Sequence, residues 1–217
     1  MQLMQQINDL NLQDSSIAKP LAVNKVADIH LHGPQSLTTA VSDTNAPDRQ
    51  ELEDFVRHTF RRAHQAEVNH FMPKLMSVRD ASGNLLAVCG LRHADQEKLF
   101  LEAYLDAPIE QLLSQRNASD ISRDAILEVG NLAVADPINV RSLLASISLY
   151  LHSTQAEWAV FTGIAVLRNS LTKLNMNLQL LGEASINRIP KHEHAAWGTY
   201  YNERPQVLAI RRMQPIL

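Results

Sequence analysis

The chain has 217 residues, 45% of them hydrophobic, with Lys+Arg 20 against Asp+Glu 23 and a net charge of −3. That suits one well-buried domain. The near-neutral balance argues against a chain whose main work is gripping nucleic acid, and only 7 glycines disfavour a mechanism built on a glycine-rich phosphate loop.

Residues 1–24 are rich in Gln, Asn, Asp and Ser and end near Pro20, which reads as a tail or a short docking segment. Residues 25–217 read as a single domain. Lys25 to His32 alternates like a first strand, and Gly33-Pro34 stops it. Residues 48–67 have helical period, with Leu52, Phe55, Val56, Phe60 and Ala63 on one face and Asp48 and Glu51 at capping-box spacing. Lys74 to Arg79 and Leu85 to Arg92 flank the turn Asp80-Ala81-Ser82-Gly83-Asn84, which predicts a hairpin. Pro108 opens a short helix carrying Ile109, Leu112 and Leu113.

The rhythm then changes. Ala125 to Val134 is a nearly continuous apolar run, as in a strand covered on both faces. A loop from Ala135 to Asn139 leads to a helix bearing Leu143, Leu144, Ile147 and Leu151. Glu157 to Gly163 is a further buried strand, followed by a helix with Leu167, Leu171 and Leu174. Trp197 to Tyr201 and Gln206 to Arg211 read as closing strands. A hairpin first and strand-helix repeats after predict an α+β mixed sheet, mostly antiparallel, with one parallel βα pair.

Some chemistry is excluded by composition. The single cysteine, Cys89, lies in an apolar run and reads as a small buried hydrophobe, so no disulfide framework or Cys-based metal site is expected. His30 with His32, and His192 with His194, have no evident third ligand, so no metal is expected. No apolar stretch approaches the roughly 20 residues of a membrane helix. The N-terminus lacks the pattern of a signal peptide. The expectation is a cytoplasmic protein with no membrane span.

Three segments could carry function. Glu128, inside the run Leu127 to Val134, is costly to bury unless paired or functional, and burial would raise its pKa toward that of a general base. It could equally face solvent or pair with an arginine. Gly130 suggests a bulge that frees backbone groups for a ligand. Arg92, at a strand end, could bind a carboxylate or phosphate, or partner Glu128 or Glu102. The loop Ala135 to Ser142 precedes a helix but has no glycine, loses an N–H at Pro137 and carries Asp136, which makes it a poor phosphate cradle. Asn139 reads there as a helix cap. Arg168 and Asn169 could hold a ligand near Thr162 or cap their helix.

These segments together resemble the thermostable hemolysin family. The ordered set is Phe55-Val56 with Phe60, Phe71-Met72-Pro73, Ala87 to Arg92, Leu99 to Leu105, Pro108-Ile109-Glu110, Glu128 to Ala133, Trp158 with Phe161-Thr162, Leu167-Arg168-Asn169, and Trp197 to Tyr201. That family is similar to Gcn5-related N-acyltransferases and acyl-homoserine-lactone synthases. The synthases' Glu strand continues with Ser-Arg, where this chain has Gly130-Asn131. The resemblance implies an N-acyltransferase-like fold and acyl transfer from an acyl-phosphopantetheine thioester to a small-molecule amine. It implies Glu128 and Arg92 as catalytic residues. Asn131, Leu132, Val134, Arg141 and Ser142 would hold the acyl donor, and Glu102, Tyr104, Thr162, Arg168 and Asn169 the acceptor. Coenzyme A users usually carry a Gly-rich loop where this chain has Pro137-Ile138-Asn139, which favours acyl carrier protein over coenzyme A as donor. A non-catalytic carrier-binding module and a membrane-active lysin are the competing classes; a homodimer stays open.

Overall fold

The computed structural model describes residues 37–212. The expected tail, the strand at Lys25 to His32 and the His30/His32 pair lie outside them. Seven strands form one sheet in the order β1-β2-β3-β4-β5-β7-β6. They are β1 (Thr38–Ser42), β2 (Lys74–Arg79), β3 (Leu85–His93), β4 (Ile126–Val134), β5 (Trp158–Gly163), β6 (Leu178–Glu183) and β7 (Gln206–Arg211). Every pairing is antiparallel except β4 with β5. The mixed sheet with one parallel pair is the α+β architecture anticipated from the sequence.

Among the described residues, four α-helices cover it: α1 (Arg49–His64), α2 (Ile109–Asn117), α3 (Val140–His152) and α4 (Ala165–Lys173). Strand alternation sorts the core onto two faces. On one, Leu127 and Val129 of β4 pack with Leu143, Ile147 and Leu151 of α3 and Leu171 of α4. On the other, Ile126, Trp158 and Val160 pack with Ile109 and Leu113 of α2. Leu52 and Val56 of α1 pack on Leu75, Val88 and Ala133. Glu128 stands two residues from Ile126 and so takes the α1/α2 face. Cys89 is fully buried among the α3-side residues, and burial pushes its thiol up.

Several sequence expectations are corrected. Asp48 makes no side-chain cap bond to α1, and Glu51 reaches instead to Arg79 (2.6 Å), tying the helix to the hairpin. Trp197 to Tyr201 is not a strand. It spans two 3₁₀ turns, Lys191–Trp197 and Tyr200–Glu203, parted by Gly198. Aromatic content there reflects a packed wall, not a pleat. Strands β1 and β6 escaped sequence reading; both are short edges. No helix among the described residues is long and apolar enough to cross a membrane.

Candidate active site

The parallel ladder between β4 and β5 runs from Ile126–Trp158 only as far as Val129–Phe161. β4 then continues to Val134 and β5 to Gly163, so the two strands part. A bulge accompanies the parting. Gly90 faces Gly130 and Val88 faces Ala133, so Asn131 and Leu132 together oppose the single residue Cys89. Asn131 takes the left-handed conformation (φ 44°), which Asn tolerates better than most residues.

The bulge is held from outside the sheet. Asn131 Oδ1 accepts the Met72 N–H (3.0 Å), and its Nδ2 donates to the His70 carbonyl (3.1 Å). Buried Arg49 donates to the carbonyls of Met72 and Pro73. A side chain at Gly90 would meet Asn131 and Met72 at 2.8 Å, and one at Gly130 would meet the end of Met72 at 2.4 Å. These two glycines therefore let the Met72 segment lie against the bulge. Asn131→Ala should cost about 2–3 kcal/mol, from two hydrogen bonds and the backbone conformation. Thermal melting should show a Tm lower by about 5–10 °C, and Asn131→Gly should recover the backbone share.

A cavity of about 610 Å³ opens between the parted strands, in the range of small-molecule sites. Gly130, Asn131, Leu132 and Val134 form one side, with Thr162, Ile164, Val166 and Leu167 across from β5 and α4. Phe60, Phe100, Tyr104, Trp197 and Tyr200 form an aromatic wall. Trp197 and Tyr200 have ring centroids 5.4 Å apart, and Tyr200 meets the His64 ring edge-on at 5.3 Å. The Tyr104 and Tyr201 hydroxyls hydrogen-bond. Burial raises the Tyr104 phenol, and the neighbouring tyrosines add to it.

Glu128 faces this cavity yet is 2% exposed. Its Oε1 accepts the Leu101 N–H (2.9 Å) and its Oε2 the Phe100 N–H (3.0 Å), at the start of the 3₁₀ segment Phe100–Tyr104. Arg92 stands directly opposite in the β3–β4 register, with Nη1 3.8 Å from Oε2. Burial raises the Glu128 pKa and outweighs the two N–H bonds and Arg92, which act the other way. Arg92 Nε lies 3.3 Å from Glu97, and its Nη1 donates to the Lys98 carbonyl. Of the alternatives open from sequence, the solvent-facing Glu128 is excluded, and Arg92 partners Glu128 and not Glu102.

The other sequence-chosen residues divide. Asn131, Leu132, Val134, Tyr104 and Thr162 line the cavity; Glu102, Arg141, Ser142, Arg168 and Asn169 do not. Glu102 is taken by Arg123 (2.7 Å) and by the Leu99 and Ile109 N–H groups. Burial alone would raise its pKa, but those partners hold it below the usual range. Arg168 donates to the Gly163 carbonyl and Asn169 is exposed. On α3, the first residue Val140 faces the cavity, and the next two turn away from it. Asn139 makes no cap bond; Asp136 instead accepts the Ile138 N–H (2.9 Å). Trp197, Tyr200, Phe60 and His64 were missed as site residues. The left-handed need at Gly198 was the available signal, since it breaks a strand there.

Residues 42–216 match the sequence pattern of the family described as thermostable hemolysin. The chain belongs to the thermostable hemolysin family. This hemolysin-family fold is shared with solved structures of very different sequence. The AHL synthase LasI is 10% identical at a TM-score of 0.56, over 82% of this chain and 91% of that one. TofI is 15% identical at 0.53, over 80% and 90%. BjaI, a CoA-dependent acyl-homoserine lactone synthase solved with SAM and isopentyl-CoA, is 11% identical at 0.52, over 82% and 85%. No curated protein matches the sequence.

Proposed function

We propose that this hemolysin-family protein is an N-acyltransferase, taking an acyl group from a phosphopantetheine thioester and passing it to a small-molecule amine. The observation that carries the reading is the parting of β4 and β5 beside a bulge, opening onto a buried carboxylate. Fold likeness to acyl-homoserine-lactone synthases supports the same class.

The pantetheine arm lies along Gly130 to Val134 as an added strand, using backbone groups that β5 leaves free. The Leu132 N–H polarises the thioester carbonyl. The acceptor rests against the aromatic wall near Tyr104 and Thr162. Its ammonium gives a proton to Glu128, directly or through a water, and the freed amine attacks the carbonyl carbon. The C–N bond forms, the C–S bond breaks, and the sulfur leaves as a thiolate that takes up a proton. Arg92 positions the Glu128 carboxylate. No protein nucleophile is needed, which agrees with the deep burial of Cys89.

Acyl carrier protein is the favoured donor. Pro137 has no N–H and Asp136 occupies that of Ile138, so a negative charge stands where a coenzyme A pyrophosphate would approach. Asp136→Asn keeps the acceptor oxygen and removes the charge. It should lower the KM for acyl-coenzyme A several-fold and leave the rate with acyl carrier protein unchanged. Steady-state kinetics with both donors checks this, and equal response of the two donors counts against it.

The test of the whole reading is mass spectrometry of the protein incubated with each acyl donor and a pool of amines. An N-acyl amide and an equivalent of free thiol are expected. Intact thioester, with every donor and amine tried, contradicts it.

A further inference from the structure

We infer that the acceptor is an aromatic or similarly bulky apolar primary amine that carries no carboxylate. This deepens the acyl-transfer reading and rests on it.

The first observation is shape and surface. Phe100, Trp197 and Tyr200 present a continuous set of rings, with Phe100–Trp197 centroids 6.0 Å apart and Trp197–Tyr200 5.4 Å. Ring faces accept both flat apolar groups and an ammonium, through stacking and cation–π attraction. The wall is held from behind: the Glu67 N–H donates to the Ala196 carbonyl, and the Thr199 N–H to the His64 carbonyl.

The second observation is charge. Glu128 and Glu193 both line the cavity. Among the described residues, two arginines line it, and both have neighbours that draw them away from an incoming anion. Arg92 lies between Glu97 (3.3 Å) and Glu128 (3.8 Å), although its buried Nε makes no hydrogen bond, and exposed Arg62 donates to the Ala135 carbonyl (3.1 Å). Burial holds the His64 imidazole toward its neutral form. An acceptor carboxylate would therefore have to draw Arg92 from Glu97 while standing beside the Glu128 carboxylate, and like charges repel. Arg168 does not line the cavity and donates instead to the Gly163 carbonyl. An acceptor with an ammonium and no carboxylate meets ring faces and the carboxylates of Glu128 and Glu193, and the two lining arginines are drawn toward Glu97, Glu128 and the Ala135 carbonyl.

The experiment is isothermal titration of the intact protein with phenethylamine, phenylalaninamide and phenylalanine, which differ at the carboxylate position. The first two should bind at least ten-fold more tightly than phenylalanine, and Trp197→Leu should weaken both. Because the comparison is made across ligands on the unaltered protein, it stands even where that variant fails to fold. Equal or tighter binding of phenylalanine, or no saturable binding of either carboxylate-free amine, overturns the inference. The same compounds offered with an acyl donor separate the two readings. Selective amine binding with no amide formed counts against acyl transfer alone. Amide formed equally well from phenylalanine counts against the acceptor class alone.

Discussion

Glu128→Gln should lower kcat for acyl transfer by about 10² or more, the usual contribution of a positioned general base, with little change in the KM of the donor. The substitution is close to isosteric and keeps one oxygen to accept the Phe100 or Leu101 N–H. It removes the basic site and one of the two accepted N–H bonds. The wild-type kcat/KM should rise with pH through a pKa above the ordinary carboxyl value of 4.5, because burial disfavours the charge. The variant should lose that limb. Stability carries a second signature. Since the folded pKa is raised, the folded state favours the protonated carboxyl. The stability this gives is fully present below the unfolded value and is lost as pH rises through the folded one. At neutral pH the wild type bears the cost of a buried charge and the variant does not. The lost hydrogen bond, about 1 kcal/mol, works in the other direction. The Tm of the variant at neutral pH should thus stay within about 4 °C of wild type. Activity within about threefold of wild type would show that Glu128 only anchors the Phe100–Tyr104 segment.

Among the described glycines, Gly198→Ala should be the most damaging substitution. Gly198 has φ 51° and ψ −122°, a region almost closed to side-chain-bearing residues, where strain costs about 1–3 kcal/mol. A Cβ there would also sit 2.2 Å from the His64 carbonyl oxygen and 2.7 Å from the Gln65 backbone. Backbone cannot swing aside as a side-chain end can. The contact is the one that seats the turn: the Thr199 N–H donates to that same carbonyl (2.8 Å), and Gln65 is the left-handed cap of α1. We expect a loss of about 4 kcal/mol, with Tm lower by about 8–16 °C. In whatever folds, Trp197 and Tyr200 should be displaced, so the acceptor KM should rise more than the donor KM. A normal melting curve would show that the turn relaxes at no cost. By contrast, Gly83 also has positive φ but has open space around its Cβ position, so Gly83→Ala should cost only the backbone strain.

Legibility in the sequence followed the range of the interactions. The hairpin, the helices and the parallel β4–β5 pair were visible because apolar period and turn residues are local. Glu128 stood out because a carboxylate in an apolar run is anomalous wherever its strand lies. Gly130 signalled the bulge for a similar reason. What failed depended on distant partners. Glu51 has capping-box spacing, yet Arg79 across the fold claims it. Glu102 and Arg168 were acceptor-binding candidates, but Glu102 pairs with Arg123 and Arg168 donates to the Gly163 carbonyl. Asn139 has the residue type of a cap, whereas Asp136 makes the local bond. The aromatic wall joins the end of α1 to a segment more than a hundred residues later, and no local pattern reports that His64 and Tyr200 meet. The edge strands β1 and β6 are short and bury little of their length, so their alternation is weak.

On the proposed mechanism, a thioester arm lies as an added strand on Gly130 to Val134. Amide hydrogen exchange on the protein, with and without a non-hydrolysable acyl-pantetheine, tests it most directly. Exchange should slow at Gly130 to Val134 and at Thr162 on binding, with the β1–β2 edge unchanged. Binding that leaves those amides untouched, or protects a different edge of the sheet, would contradict it.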